Sequence, residues 1–519
     1  MPFPRSLKLV TVALRVFAVL ALLWSATGDP FLTVRAAEPN AGRSPEDLAE
    51  LSLSDLYRYQ DLAFERSGDD GFGVDTDSWG SSQDPQTFSN GDGAGEGRTL
   101  AFPVLAAACT WTGSTSADWH NSANWAGCGV PAEGDQVTVP AGVLPNEPNI
   151  SAADVTLGGL TVGSGRTMTI VAGRAVTISS STLSNSGTIT GTGTVRTQGG
   201  VNLSQSGTFG AQLKVASGTT TATSGTYVGP ISVDAGATMQ IDYQSTVTAR
   251  GDLTVNGSIV SGGDGAGLVF NGPTLTNNGT INLPGFTFGG SGPQTAVGSG
   301  SWGSWWNTLT LNSHVSMGGL TVGMETFNIN SGGAVTVTSP ITFTTGTVNN
   351  YGTLALYDVI NKTGGTLYNR TGGVVTGTAA LRMVGTGTST LSQSGTFVVP
   401  VAVITGTTNM NSGTYYGPVT VDSGARLGMP WQNSPTLNGD LTLNGSITSG
   451  GDGSGLNFNG ANFENNGSVT LGWGGAFRFG RGGVQTLGGA GGILGAPTTV
   501  LSGSLVSTLS GSSGKYLAA

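Results

Sequence analysis

The feature of this sequence that most constrains its fold is a long internal duplication. GDLTVNGSIVSGGDGAGLVFNG at 251–272 matches GDLTLNGSITSGGDGSGLNFNG at 439–460, with four differences in 22 positions. LSQSGTF stands at 203–209 and again at 391–397, which is the same offset of 188 residues. An offset that holds over this length is typical of a stacked array of repeats, and it argues against two unrelated domains.

The duplicated segments consist of short strings in which apolar and polar residues alternate. Each string has three to five residues of Thr, Val, Ile and Leu, bounded by the turn formers Gly, Asn or Ser. One such strand cannot bury its apolar face alone, but coils stacked on one another share a core. The sequence therefore predicts an all-β fold, a parallel β-helix (solenoid) over 151–500, with the copies at about 186–300 and 374–495. At about 20 residues per coil, this region holds roughly 17 coils.

The composition agrees with an extended β protein. Gly accounts for 88 of the 519 residues, only 10% of residues are charged, and there are 2 His and 2 Cys. The scarcity of long aliphatic helix formers argues against a helical bundle or a doubly wound α/β domain. A string of β-sandwiches is the alternative fold, but the sequence lacks the proline-rich linkers that would separate their cores.

The N-terminal 100 residues differ from the rest in charge and pattern. Arg5 and Lys8 precede the apolar run 17–24, which predicts a signal peptide over 1–37. Eight apolar residues are too few for a bilayer span, which needs about 20. The export signal is therefore the only expected membrane contact, and the mature chain is expected to be secreted or at the cell surface.

Residues 38–100 are predicted to be a disordered linker. They contain 14 acidic and 4 basic residues and end in an acidic, Gly- and Ser-rich stretch. Such a segment cannot bury enough apolar surface to offset its chain entropy, although its first half is compatible with a short helix. The chain has no basic patch that could neutralise a phosphate backbone, so nucleic acid is excluded as a partner.

A block rich in tryptophan and cysteine occupies 101–150. Trp111, Trp119 and Trp125 are predicted to plug the open end of the solenoid, since a stack of coils must be capped. The alternative is that these rings stack on sugar. Residues 501–519, at the other end, are expected to form a C-terminal tail.

Two cysteines bracket the tryptophans. In an exported protein, Cys109 and Cys128 most simply form a disulfide. A metal site that adds His120 is the alternative, but it lacks a fourth ligand of the usual kind. We therefore predict no metal site, and nothing in the sequence indicates a cofactor.

The block W-T-G-x(4)-D-W-x(3)-A-N-W-x(4)-V-P, followed by Gly-, Thr- and Asn-rich β repeats, resembles secreted bacterial surface repeat proteins of the adhesin and autotransporter-passenger type. The resemblance covers roughly 105–495. It implies a β-helical fold and a surface or adhesion role, and it transfers no catalytic residue.

Acidic residues recur in matching turns of the two copies. The pairs Asp252/Asp440 and Asp264/Asp452 therefore suggest a structural role at corners, because an active site usually occurs once. Asp264 and Asp452 lie in GGDG strings, where a tight turn is favoured over a calcium site. The chain is accordingly predicted not to be an enzyme.

The sequence thus predicts an exported structural or adhesive β-solenoid, displayed at or released from the bacterial cell surface. The alternative is a carbohydrate-binding β-helix with Trp302, Trp305, Trp306, Trp431 and Trp473 as stacking platforms. A polysaccharide-degrading enzyme is less favoured than either. Expected partners are a cell-surface glycan or another surface protein.

Overall fold

The structure is a computed structural model that describes residues 106–303, 307–344, 346–494, 498–500 and 504–507. The predicted signal peptide, the acidic linker and most of the C-terminal tail lie outside these residues. Within the described part of the chain, every regular element is a strand except for one 3-10 turn at Ser122–Asn124.

From Gln136–Val139 onward, each strand lies beside the strand three positions further along the chain, so that three strands complete one coil, and these neighbours pair in parallel except at one break in the third sheet. Thr188–Thr190, for example, lies between Thr167–Ile170 and Thr208–Phe209. Coil length varies, because 18 residues separate Thr194 from its partner Gln212 whereas 24 separate Gly365 from Ser389. The predicted parallel β-helix is confirmed, and the sheet with 18 strands agrees with roughly 17 coils.

The strands form three sheets, here called first, second and third. The first sheet contains Ala108–Trp111, Trp125–Ala126, Gln136–Val139, Gly159–Val162, Thr182–Asn185, Val201–Gln205, Thr219–Ala222, Thr238–Ile241, Ser258–Ser261, Thr280–Asn282, Ser301–Trp302, Thr321–Val322, Ile341–Phe343, Ile360–Lys362, Leu381–Met383, Val401–Val403, Val419–Val421, Leu441–Leu443, Asn462–Asn465, Val484–Gly488 and Ser504–Ser507. The second sheet contains Asn149–Ile150, Thr167–Ile170, Thr188–Thr190, Thr208–Phe209, Gly225–Tyr227, Thr246–Ala249, Gly267–Phe270, Gly285–Phe288, Thr308–Leu311, Thr326–Ile329, Thr347–Asn350, Gly365–Asn369, Thr388–Gln393, Thr407–Met410, Arg426–Met429, Ser446–Ser449, Ser468–Thr470 and Gly492–Leu494.

The third sheet is hydrogen-bonded in two sections. The longer section contains Val155–Leu157, Ala175–Ile178, Thr194–Thr197, Gln212–Val215, Ile231–Val233, Leu253–Val255, Thr274–Asn277, Gln294–Val297, His314–Gly318, Ala334–Val337, Thr353–Leu356, Val374–Gly377 and Thr396–Phe397. The shorter section continues it with Thr414–Tyr415, Thr436–Leu437, Leu456–Phe458, Phe477–Phe479 and Thr498–Val500.

One continuous core runs inside the three sheets, from Cys109 to Leu487. It forms because alternate side chains of each strand point inward and stack on their counterparts one coil above and below. Both copies repeat this packing, since the rings of Phe209 and Tyr227 are 5.4 Å apart and those of Phe397 and Tyr415 are also 5.4 Å apart. Each fully buried side chain of this size contributes about 2 kcal/mol through burial.

The two copies lie on different sheets. Thr238–Ile241 belongs to the first sheet, whereas its copy Arg426–Met429 belongs to the second. Likewise Thr246–Ala249 belongs to the second sheet, and its counterpart Thr436–Leu437 belongs to the third. The offset of 188 residues is therefore a whole number of coils plus one strand, and the second copy is turned by one sheet around the axis.

Candidate functional site

Two large aromatic side chains stand out into solvent on one corner of the rod. Trp431 is 61% exposed and Trp473 is 90% exposed, whereas most other large aromatic residues of the described chain are buried. Trp431 follows the second-sheet strand Arg426–Met429, and Trp473 follows the second-sheet strand Ser468–Thr470 two coils later. Both therefore lie where the chain passes from the second sheet to the third. We call Trp431, the turn 450–453 and Trp473 the aromatic corner.

A tight turn holds Trp431 outward. Gln432, the next residue, has a φ of 57°, a backbone conformation that residues other than glycine seldom adopt. The backbone N–H of Asn433 donates to the Pro430 carbonyl at 3.0 Å, and Asn433 Nδ2 donates to the Trp431 carbonyl at 3.0 Å. These bonds close the turn, so its apex carries the indole away from the core.

The GGDG turn of the next coil lies against Trp431. A Cβ atom at Gly451 would lie 3.1 Å from Trp431 Cδ1, which is closer than ordinary contact. Ser454 is buried, and its Oγ donates to the Pro430 and Gly451 carbonyls, both at 3.0 Å. The glycine therefore leaves room for the indole, and the serine ties the two turns together.

Trp473 extends the corner by one more coil. The Gly472 N–H donates to Ser449 Oγ, and a Cβ atom at Gly474 would lie 3.4 Å from the Gly453 nitrogen. The turn of Trp473 thus rests on the GGDG turn, which rests on the turn of Trp431. Two strand spacings separate the coils of the two tryptophans, which is about 10 Å along the axis.

The aromatic corner brings aromatic and polar side chains together. It combines two indole faces with the polar side chains of Gln432, Asn433 and Asp452. Glycoside hydrolysis needs a pair of carboxyl groups, and the turns of the aromatic corner contain one, that of Asp452.

Trp302, which the sequence also offered as a platform, does not join this corner. Trp302 is 1% exposed, and its ring lies 5.4 Å from that of Phe286 and 5.7 Å from that of Phe288. The prediction for Trp302 is therefore wrong, because this residue occupies an inward position of its strand and fills the core. Trp305 and Trp306 lie outside the described residues.

The N-terminal tryptophans are also internal. Trp111, Trp119 and Trp125 are buried, and the ring of Trp125 lies 4.9 Å from that of Trp111 and 4.6 Å from that of Trp119. Trp125 Nε1 donates to the Trp119 carbonyl at 2.8 Å. They lie at the N-terminal end of the described core, and they present no face to a sugar.

The predicted disulfide is confirmed. Cys109 lies in Ala108–Trp111 and is joined to Cys128, two residues past Trp125–Ala126, the strand that pairs antiparallel with it. Asp135 is the third ionisable group near the sulfur atoms, but its Oδ1 accepts the Ala107 N–H at 2.7 Å and its Oδ2 accepts the Ala132 N–H at 2.8 Å. Because the sulfur atoms are joined, they offer no thiolate to a metal ion.

The duplicated acids Asp252 and Asp440 make contacts between coils. Asp252 Oδ1 accepts the Thr274 N–H at 3.1 Å, and Asp440 Oδ1 accepts the Ala461 and Asn462 N–H groups, both at 3.0 Å. Burial acts to raise the pKa of Asp440, but the hydrogen bonds from Asn462 and Ala461 outweigh it, so the pKa is lowered. These carboxylates therefore serve the corner structure, as their duplication suggested.

Sequence reasoning missed two residues. Tyr243 matches Trp431 at the 188-residue offset and is 56% exposed, so aligning the copies column by column could have found it. The second missed residue is Lys362. It is the last residue of the strand Ile360–Lys362 and its side chain points into the core. Its Nζ donates to the Gly346 carbonyl at 3.2 Å and to the Gly364 carbonyl. Burial lowers the pKa of Lys362 from 10.5 to about 8.

Comparison with known proteins gives one match. A family model described as a domain of unknown function, DUF8693, matches residues 110–209, which begin one residue after Cys109 and include Cys128 and the first coils. No curated protein and no solved structure matches the chain. Among the described residues, no helix is long and apolar enough to cross a membrane. The match covers the N-terminal coils of the described solenoid, and the aromatic corner lies outside it.

Proposed function

We propose that this chain is an exported bacterial rod that adheres to carbohydrate at the cell surface through its aromatic corner. The support for export is the basic residues and apolar run of 1–37, and the support for a surface role is the resemblance to secreted repeat proteins. The support for adhesion is the pair of solvent-facing indoles at Trp431 and Trp473.

The body of the rod suits a scaffold. Its outward side chains are mostly uncharged Thr, Ser and Asn, and neighbouring asparagines bond across coils, as Asn278 does to Asn256 at 2.9 Å and Asn466 to Asn444 at 3.1 Å. Stability in such an array comes from contacts between adjacent coils, so the solenoid can lengthen by adding coils while the cross-section of its core stays the same. This construction holds a binding corner at a set place on a long support.

The exposed indoles carry the argument for carbohydrate. When the C–H face of a sugar ring covers an exposed aromatic face, apolar surface leaves water and the free energy falls. Hydroxyl groups at the edge of the sugar can then form hydrogen bonds with the polar side chains around the indole. Covering one indole face of about 100 Å² contributes about 2 kcal/mol. Two faces contribute about 4 kcal/mol, so a single sugar would bind weakly and an extended glycan that spans both rings would bind better.

A glycan array probed with the full-length chain tests this proposal. Trp431→Ala together with Trp473→Ala should weaken binding at least tenfold on every glycan that the wild type retains. Tyr357→Ala is the matched control, because Tyr357 is 64% exposed but follows a third-sheet strand. Unchanged binding by the double tryptophan variant, or no retained glycan at all, would rule out the adhesive role.

A further inference from the structure

We infer that the first copy of the duplication carries a second and weaker carbohydrate site at Tyr243, on a different edge of the rod, so that one chain cross-links two glycans. This inference rests on the proposed function, since it assigns the same ligand chemistry to the matching corner. The observation behind it is that the two corners are built alike but face differently.

The turn at Tyr243 reproduces the turn at Trp431. Gln244 has a φ of 52°, and among the described residues it shares a left-handed backbone with only one other non-glycine residue, its counterpart Gln432. A Cβ atom at Gly263 would lie 2.9 Å from Tyr243 Cδ2, as one at Gly451 would crowd Trp431. Each corner therefore holds its aromatic ring outward against a glycine of the next coil.

The first corner offers less stacking surface. Its ring is a phenol whose hydroxyl accepts from Gln244 Nε2 at 3.0 Å, and the ring is 56% exposed. It also lacks a counterpart of Trp473, because the chain there passes directly through Pro284 into the strand Gly285–Phe288. One smaller platform in place of two larger ones makes this the weaker site.

The two sites lie on different edges. The Tyr243 corner joins a first-sheet strand to a second-sheet strand, whereas the Trp431 corner joins a second-sheet strand to a third-sheet strand. Nine steps along the second sheet separate Thr246–Ala249 from Arg426–Met429. That is about 43 Å along the axis.

This placement favours bridging over lengthwise binding. A glycan that runs parallel to the rod along one edge does not pass over the other edge. The two sites therefore engage separate glycan chains. Both sites are occupied at once only when the chain lies between two glycan-bearing surfaces, and the avidity of the second site then adds to that of the first.

The test uses beads that carry one array-positive glycan and the full-length chain, with clumping followed by light scattering and attachment by bound protein. The wild type should clump beads. Tyr243→Ala should keep attachment within about twofold yet lose clumping. Tyr243→Trp should keep clumping and lower the protein concentration that it requires. Tyr357→Ala should behave as wild type.

The outcomes separate the two proposals. If Tyr243→Ala clumps beads as well as wild type while the Trp431 and Trp473 variant fails to attach, the second site is refuted and the proposed function stands. If the wild type does not attach to any glycan, both proposals fail together. Circular dichroism of each variant confirms that the β fold is retained.

Discussion

The two copies of the duplicated segment share their turns and their core but differ in their outer surface. Inside, both stack an aromatic pair at the same separation, and Gln205 and Gln393 each bond to the carbonyl two residues ahead. Outside, one corner displays a tyrosine and the other displays two tryptophans. The inward residues must fit the coils above and below, whereas corner residues are free to diverge. Corners are therefore where a solenoid of this kind can gain a binding site.

The strongest test of the shared interior is to truncate matching core rings. Phe270 lies between Ala249 and Phe288 in its ladder, and its copy Phe458 lies between Leu437 and Phe479. Replacing either phenylalanine by alanine should destabilise its own coil by about 3–5 kcal/mol. Native-state hydrogen exchange of the amides in that coil and its neighbours measures the loss.

Glycan attachment provides the control for this prediction. Phe458 lies in the coil next to that of Trp431, so Phe458→Ala should weaken glycan attachment. Phe270→Ala should leave the aromatic corner unaffected. Equal losses of glycan attachment in both variants would mean that a core defect in the first copy also disturbs the second copy.

Lys362 lies between the copies and should make the stability of this region depend on pH. Its folded pKa is about 8 and its unfolded value is 10.5, so between these values the unfolded chain holds the proton more often than the folded one. Stability should therefore rise with pH, by about 2 kcal/mol from pH 8 to pH 10. Denaturant titration at both pH values measures this rise.

Lys362→Met is the matched control, because it keeps an unbranched side chain and removes the charge. The variant should lose most of the rise between pH 8 and pH 10. A rise of the same size in the variant would assign the effect to other groups.

The smallest expected effect compares the two left-handed turns. Gln244→Gly and Gln432→Gly should each stabilise the protein by about 0.5–1 kcal/mol, since glycine adopts a positive φ without steric cost. The backbone gain should be similar, because φ is 52° in one turn and 57° in the other, but Gln244→Gly should gain slightly less because it removes the hydrogen bond from Gln244 Nε2 to the Tyr243 hydroxyl. Hydrogen exchange in the adjacent strands measures both, and a destabilising effect at either position would show that the glutamine side chain has a role of its own.

Sequence reasoning found the parts of the structure that depend on local pattern. Alternation and repeat length predicted the parallel β-helix, and two nearby cysteines predicted the bond between Cys109 and Cys128. It left open whether Trp302 was a stacking platform, because tryptophan type alone does not reveal which way a strand residue faces. Its strand, Ser301–Trp302, is so short that alternation gives no clear phase. Trp431 and Trp473 were among the candidates, but nothing in their local sequence showed that they share a corner.

The sequence by itself determined that this protein is a stack of short strands and that two stretches of it repeat. The alternation of apolar and polar residues is visible within a few residues, and it recurs many times along the chain, so both features can be read without knowledge of distant contacts. The tertiary structure alone decided which edge of the rod each copy occupies, since that depends on summing coils of unequal length between them. It also buried Trp302 and Lys362 while leaving Trp473 in solvent, because burial is set by the coils above and below and by the corner between sheets.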